Sequence, residues 1–328
     1  MKRILFTAIL TTLFLSSFAQ DTPQAKKFKI TGSPIVMVFA NYHAGIGRAN
    51  KESGFALDRS YLGYQFKLTE KLSGKVVFDI GPTKVADSDL ERVAYVKNAM
   101  LSWQTGDFTI DFGLIGLQQF NVQEGFWGYR YILKPFQDEY KFGSSADMGV
   151  IGKYKFTKWL SADITFINGE GYKKLNKDNK YRYGIGATIK PIDDLTIRGY
   201  VDTSSKNVEG DGTKNQQNLA LFAGYKNKYF SLGGEYNSMS NTKFEEDKNQ
   251  SGYSVYSTVV LAEKFNAFGR YDNLSSKDDW SSADGQRILF GIQYTPIKLL
   301  KIAPNFTSWN PASGKSASYL YLNIEFKL

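Results

Sequence analysis

Residues 319–328 read YLYLNIEFKL, and large apolar side chains occupy every second position of this stretch. The apolar set is Leu320, Leu322, Ile324, Phe326 and Leu328. The set between them is Tyr319, Tyr321, Asn323, Glu325 and Lys327. Because successive side chains of a strand point to opposite faces, the stretch predicts a strand with one apolar and one polar face. A strand between lipid on one side and a water-filled lumen on the other has this pattern.

The same alternation recurs about sixteen times along the chain. Connections of roughly two to four residues alternate with longer polar segments, as in the up-and-down strands of an outer-membrane barrel. The sequence therefore predicts an all-β, antiparallel transmembrane barrel with short periplasmic turns and long outer loops. The predicted strands begin at Ile35, Ala56, Leu72, Val93, Phe108, Met148, Leu160, Tyr181, Leu195, Asn218, Phe230, Tyr253, Phe265, Arg287, Leu300 and Ser318.

In two of the predicted strands, the pattern does not show which side chains face the lumen and which face lipid. Residues 35–40 read IVMVFA, so the first strand is apolar on both faces. In the fourth strand, the pattern allows Lys97 to face either side of the sheet. Both assignments stay open at the level of sequence.

The composition excludes several classes of protein. The chain has 328 residues, no cysteine, 24 Phe and 21 Tyr. Without cysteine there can be no disulfide, no thiolate metal site and no cysteine nucleophile. Beyond the N-terminus, no segment offers the roughly 18 uninterrupted apolar residues that a transmembrane helix needs. A helical membrane protein is therefore excluded, whereas a barrel is not, because its strands are apolar on one face only.

The N-terminus has the pattern of a secretory signal. Lys2 and Arg3 precede an apolar run at residues 4–15, and Ser17 and Ala19 are small residues before a cut at Gln20. This pattern predicts a signal peptide at residues 1–19. A retained anchor helix is the alternative, but the apolar run is too short to span a bilayer. We expect residues 20–328 to form a single β-barrel domain in the lipid of the cell outer membrane.

Residues 118–146 interrupt the alternation and read QQFNVQEGFWGYRYILKPFQDEYKFGSSA. They follow the fifth predicted strand and form the third long loop. So many aromatic side chains need a surface to pack on, which predicts that the loop folds into the lumen and narrows the pore. An exposed surface loop is the alternative. The charged residues predicted to form the constriction are Glu124, Arg130, Lys134, Asp138, Glu139 and Lys141.

Strand phase also predicts which charged side chains line the lumen. The bases are Arg59, Lys67, Lys75, Lys153, Lys155, Arg182, Arg198, Arg270, Arg287, Lys301 and Lys327. The acids are Asp79, Asp111, Asp163, Asp202, Glu235, Asp272 and Glu325. The excess of bases predicts a weak preference for anions. Alternatively, bases and acids pair across neighbouring strands and leave little net field.

Nothing in the sequence predicts an enzyme, a cofactor or a metal site. His43 is the only histidine, and no motif places a serine or an acid beside it. The acidic clusters lack the spacing of a calcium loop. The net charge of +9 could suggest nucleic acid, but a signal peptide makes that partner implausible.

Two stretches resemble the outer-membrane porins of the Bacteroidetes, broadly the phosphate-selective porin group. They are FALDRSYLGYQFKLTEKLSGKVVFDIG at residues 55–81, and FWGYRY with FQDEYKFGSSADMGV within residues 126–150. The resemblance implies a sixteen-stranded pore, a homotrimer and, by family name alone, a preference for phosphate. Porins of outer membranes mostly end in phenylalanine, and this chain departs from that pattern by ending in Leu328.

The fold and the resemblance together predict a passive porin for small hydrophilic solutes, with a weak preference for anions such as phosphate. The alternative is a non-conducting outer-membrane barrel that acts as an adhesin or as a structural partner in a larger membrane complex.

Overall fold

The sixteen strands of the described residues form one closed antiparallel barrel. The structure is a computed structural model that describes residues 28–47, 51–83, 89–174, 179–205 and 214–328, so the predicted signal peptide at residues 1–19 lies outside the described residues. The strands are β1 (Thr31–Ile46), β2 (Ser53–Lys67), β3 (Leu72–Pro82), β4 (Arg92–Thr105), β5 (Phe108–Gly116), β6 (Ala146–Lys155), β7 (Leu160–Ile167), β8 (Arg182–Ile192), β9 (Leu195–Ser204), β10 (Gln216–Lys226), β11 (Phe230–Ser240), β12 (Gln250–Ala262), β13 (Phe265–Ser276), β14 (Gly285–Ile297), β15 (Leu300–Pro311) and β16 (Ala317–Lys327).

Each strand pairs with its neighbours in sequence, and β1 also pairs with β16. That last pairing runs from Met37 opposite Lys327 to Ile46 opposite Ser318, and it removes the two free edges of the sheet. In lipid, a sheet must close in this way because its backbone groups find no water to bond. The prediction of an all-β up-and-down barrel is confirmed, and the largest error in a strand start is at β1, which begins at Thr31 and not at Ile35.

The two faces of the sheet differ as the alternation predicts. On the outer face, Phe112 and Ile164 are 66% and 65% exposed. On the inner face, the adjacent Asp111 and Asp163 are 5% and 6% exposed. The apolar side chains therefore cover the outside of the barrel, and the charged side chains line its interior.

The third long loop lies inside the barrel, as the sequence predicts. It spans residues 117–145 and is called the inner loop below. It contains helix α1 (Asn121–Trp127) and the single turn α2 (Phe136–Glu139). No helix among the described residues has both the length and the apolarity to cross a bilayer.

The two strands of unclear phase have separate physical explanations. In β1, the inward side chains of Ile35, Met37 and Phe39 pack on the inner loop, so both faces of this strand are apolar. In β4, a β-bulge interrupts the period of two: Val77 pairs with Asn98 and Phe78 with Val96, which leaves Lys97 as the extra residue. A bulge of this kind shifts side chains from one face to the other.

A charge on the outer face should destabilise the barrel. We expect Ile164→Lys to lower the free energy of unfolding by about 2–4 kcal/mol, because the ammonium would face lipid near the middle of β7. Urea unfolding from liposomes measures this change, with Ile164→Leu as the control that keeps the site apolar. Equal stability of the lysine and leucine variants would show that this face is not in lipid.

Candidate pore constriction

A backbone hydrogen bond joins the two ends of the inner loop, and a glycine at the end of its first helix reverses the chain. The Leu117 amide donates to the Ser145 carbonyl at 3.1 Å, which joins the two ends of the loop. Helix α1 ends at Gly128, whose φ of 71° lies in the left-handed region where glycine is favoured. The Gly128 amide donates to the Glu124 carbonyl at 2.9 Å. The chain then reverses, and the Trp127 indole Nε1 donates to the Leu133 carbonyl at 2.7 Å.

One aromatic cluster fixes the first half of the inner loop to the wall. Trp127 and Tyr129 are buried, and their rings lie 5.7 Å from Tyr256 and 4.3 Å from Phe268, respectively. Tyr131 donates from its hydroxyl to the Gln293 side chain at 2.9 Å. This half of the loop therefore covers strands β12 to β14 from the inside.

A second aromatic cluster fixes the other half. Phe136 and Phe142 are almost wholly buried, with ring centroids 5.7 Å apart. They pack with Tyr140 on the wall residues Met239 and Leu274. Burial of large aromatic side chains is the dominant favourable term in such packing, so the loop is held by apolar contact over much of its length.

Wall glycines make room for these rings. A Cβ atom at Gly252 would lie 2.6 Å from the Phe136 ring, and one at Gly224 would lie 2.6 Å from the Phe126 ring. Both distances are far below van der Waals contact. Larger residues at these wall positions would displace the loop.

Three of the predicted wall bases bind the inner loop: Arg182, which donates to the Phe142 carbonyl at 3.4 Å, Arg270 and Arg287. Arg270 donates from Nη1 to the Lys134 carbonyl at 2.7 Å and also bonds Asp272 at 2.7 Å. The Arg287 guanidinium lies 3.2 Å from the carboxylate of Glu139, one of the predicted constriction residues. These arginines therefore serve as polar anchors for the loop, beside its aromatic contacts.

Three of the predicted constriction residues form one ion-pair network. Arg130 bonds Glu124 at 2.8 Å and Asp138 at 2.9 Å. Burial alone would raise the pKa of the Asp138 carboxyl, but Arg130 and Lys134 together lower it below its ordinary value. The carboxylate is thus charged at neutral pH, and the loop presents alternating charges to the lumen.

The remaining two constriction residues, Lys134 and Lys141, are not part of the ion pairs of this network. Lys134 lines a small cavity together with Arg59 of the wall. Lys141 adopts a left-handed φ of 64°, and its side chain lines a cavity of about 800 Å³ on the long-loop side of the barrel. That cavity also contains Lys174 and Lys243, and it is called the outer cavity below.

The other predicted wall residues lie on the inner face, mostly as ion pairs. The pairs are Arg59 with Asp79 at 3.0 Å, Lys153 with Asp111 at 2.7 Å, Arg182 with Asp202 at 2.9 Å, Arg198 with Asp163 at 2.7 Å and Lys301 with Glu325 at 2.6 Å. Pairing across strands therefore neutralises most of the basic wall. The exceptions are Lys67, Lys75, Lys155 and Lys327, since the ion pairs found among the described residues do not include them.

A second segment also reaches into the lumen, and the sequence gives little sign of it. The Asp147 carboxylate accepts bonds from the amides of Gly169 and Gly171 at 2.9 and 3.0 Å, which draws the start of the loop after β7 inward. Tyr172 of this segment donates from its hydroxyl to Asp79 on β3. In the sequence, the one feature that could indicate this inward path is a tyrosine, Tyr172, within a polar loop.

His43 lies on the inner face of β1, where its ring is 5.7 Å from that of Tyr321. Its Nδ1 is 3.0 Å from the Asn41 side chain. Among the described residues, no group of three histidine or carboxylate side chains is arranged to hold a metal ion.

Truncation of a loop aromatic should release the inner loop. We expect Phe136→Ala to lower the free energy of unfolding by about 3–5 kcal/mol, because the ring is fully buried between loop and wall. Guanidinium unfolding of the purified barrel measures the change. Phe112→Ala removes the same atoms from the outer face and serves as the control. Equal losses in the two variants would contradict a docked loop.

Comparison with known proteins identifies the fold and no closer relationship. No protein-family model matches the chain, and no curated protein matches it. Among solved structures, the anion-selective porin from Comamonas acidovorans is 11% identical, with a TM-score of 0.70, and the match covers 92% of this chain and 100% of that one. The outer membrane channel DcaP of Acinetobacter baumannii is 12% identical, with a TM-score of 0.66 and coverage of 95% and 100%.

The Salmonella typhi porin OmpF is 13% identical, with a TM-score of 0.66 and coverage of 90% and 97%. A trimer form of the Vibrio cholerae outer membrane protein OmpT is 12% identical, with a TM-score of 0.61 and coverage of 92% and 100%. At these identities the similarity is one of fold. The chain has the closed-barrel fold of solved outer-membrane porins and channels.

Proposed function

We propose that this protein is an outer-membrane porin, a water-filled channel through which small hydrophilic solutes diffuse passively. The observation that carries the proposal is the inner loop, which is docked on one side of the lumen of a sixteen-stranded barrel and presents charged residues to the other side. A barrel of this width is not filled by its own side chains. A loop that covers part of the wall narrows such a lumen and sets which solutes pass.

The outer surface supports a place in the outer membrane, with export directed by the predicted signal peptide. Apolar side chains cover the strands, and aromatic pairs lie beside the short turns. Tyr154 with Phe156 and Phe265 with Tyr294 are two such pairs, each with ring centroids 4.8 Å apart. Rings with an apolar body and a polar edge suit the headgroup region of a bilayer.

The solved trimer with the same fold supports a homotrimer for this single-domain barrel as well.

A weak preference for anions is part of the proposal. Fewer bases support it than the sequence count of lumenal bases suggests. Most wall bases are neutralised by a carboxylate within ion-pair distance. Among the described residues, the excess comes from bases without an ion pair, on the wall and at the outer cavity: Lys67, Lys75, Lys97, Lys155, Lys327, Lys141, Lys174 and Lys243. Fixed positive charge along a narrow path raises the local concentration of anions, phosphate among them.

Planar-bilayer recording tests the porin function. The purified protein should produce discrete, steady conductance steps, and a salt gradient should give a reversal potential of the sign expected for a modest excess of anion permeability. Removal of residues 120–142 should raise the conductance of each step, because the loop no longer occupies the lumen. A complete absence of steps from folded protein would favour the alternative of a non-conducting adhesin or structural barrel.

The charge of Asp138 should set part of the selectivity over a defined pH range. Asp138→Asn removes a negative charge from the constriction, so we expect a reversal potential shifted toward greater anion preference at pH 7. Because the native pKa is lowered, the Asp138 ion pair stabilises the loop above about pH 4 and is lost as the pH falls through that lowered pKa. The difference between wild type and variant should therefore persist from pH 7 down past about pH 4, where a free aspartate titrates, and disappear only as the pH falls through the lowered pKa of Asp138.

Glu263→Gln, in the exposed turn between β12 and β13, is the matched control for this charge change and should leave the reversal potential unchanged. A wild type and an Asp138→Asn variant that share one reversal potential at pH 7 would show that Asp138 does not face the conducting path.

A further inference from the structure

Lys97 differs from the other lumenal bases in how it reaches the lumen and in what surrounds it. It is the extra residue of the β4 bulge, opposite Val77 and Phe78 of β3. Its ammonium nitrogen lies 3.2 Å from the Tyr61 hydroxyl oxygen and 4.5 Å from the centre of the Tyr61 ring. The bulge therefore directs this lysine into the lumen.

Within the described part of the chain, no carboxylate lies within ion-pair distance of Lys97. The ion pairs among the described residues do not include it, whereas Arg59 beside it is paired with Asp79 at 3.0 Å. The charge of Lys97 contributes to the lowered pKa of the Asp138 carboxyl, but the ion pair of that carboxylate is with Arg130, at 2.9 Å. An ammonium has three N–H donors, and the one directed at Tyr61 leaves two for a solute. Lys97 thus retains both its charge and donor capacity at the constriction.

The Tyr172 ring stands beside this ammonium, and Tyr95 precedes Lys97 by two residues on β4. The Tyr172 ring centre is 6.0 Å from the Lys97 nitrogen, and Tyr172 is held in place by its bond to Asp79. Tyr95 lies on the inner face of the same strand, with the Lys173 ammonium 4.0 Å from its ring centre. Tyr95 and Tyr172 are only partly buried, so their rings can be reached from the lumen.

We propose that Lys97, Tyr95 and Tyr172 form the specificity-determining site of the pore, and that this site favours small organic carboxylates with an aromatic group. The solute carboxylate accepts a charge-assisted hydrogen bond from Lys97, and its ring packs on the tyrosines. Inorganic anions make only the first contact, and neutral aromatic solutes make only the second. The inference rests on the proposed porin function and gives it a substrate class.

Block of channel current by added benzoate tests the site, with acetate as the anion that lacks a ring. In planar bilayers, benzoate should block the wild-type channel at lower concentration than acetate does. Lys97→Gln should weaken the block by benzoate about tenfold, the loss expected from one charge-assisted contact. It should also shift the reversal potential in potassium chloride toward cations. Lys97→Arg keeps the charge and should retain the block.

Two further comparisons separate charge from packing. Lys228→Gln removes the same charge from the exposed turn between β10 and β11, and it should change neither the block nor the reversal potential. Tyr172→Phe keeps the ring and should retain selectivity for benzoate over acetate, whereas Tyr172→Leu should lose that selectivity while leaving the reversal potential near the wild-type value.

The outcomes distinguish this inference from the porin function itself. A wild-type protein that forms no channels would overturn the porin function. Channels that conduct normally, yet show equal block by benzoate and acetate, would overturn the substrate class. Channels whose reversal potential and block are unchanged in both Lys97→Gln and Lys97→Met would overturn the role of Lys97.

Discussion

The packing of the inner loop on the barrel wall is the interaction on which the rest of the structure depends. The rings of Trp127, Tyr129 and Phe136 are buried between loop and wall. At two wall positions, Gly252 and Gly224, the missing side chain leaves space for a ring of the loop. Because these contacts are apolar and extensive, the loop has one docked position, and its charged side is held toward the open part of the lumen.

The electrostatics of the lumen follow from this arrangement. Arg270 and Arg287 are used to hold the loop, and most other wall bases are paired with an acid on a neighbouring strand. Such pairing is required because a charge in a confined, partly desolvated wall is costly without a partner. The charge that remains for solutes is therefore small and local. It lies at the wall lysines that have no ion pair within the described chain, Lys75 and Lys97 among them, and at the lysines of the outer cavity.

The sequence predicts the barrel well because one physical rule governs each strand. Lipid on one side and water on the other impose a period of two, which residues 319–328 display without interruption. The position of the inner loop is also predictable, because its aromatic content demands a surface. The sequence does not predict which half of the wall provides that surface. The wall residues Tyr256 and Phe268 lie more than a hundred residues from Trp127 along the chain.

The finer features of the site depend on geometry that alternation does not encode. The bulge at Lys97 breaks the period of two, so the same pattern that identifies β4 leaves this side chain unassigned. The inward path of Tyr172 depends on amide bonds to Asp147, a residue of another strand. Ion pairing depends on strand register, since Lys153 meets Asp111 only because β5 and β6 place Lys153 opposite Thr109, two residues from Asp111 on the same face.

The central claim is that the inner loop narrows a conducting lumen. The chain has no cysteine, so Glu124→Cys places one unique thiol on the lumenal side of that loop. During recording from a single channel, a bulky thiosulfonate reagent should react with this thiol and lower the current in a discrete step. The same reagent should leave the current of Lys228→Cys unchanged. Complete modification of the Glu124→Cys thiol without any change in current would contradict the account.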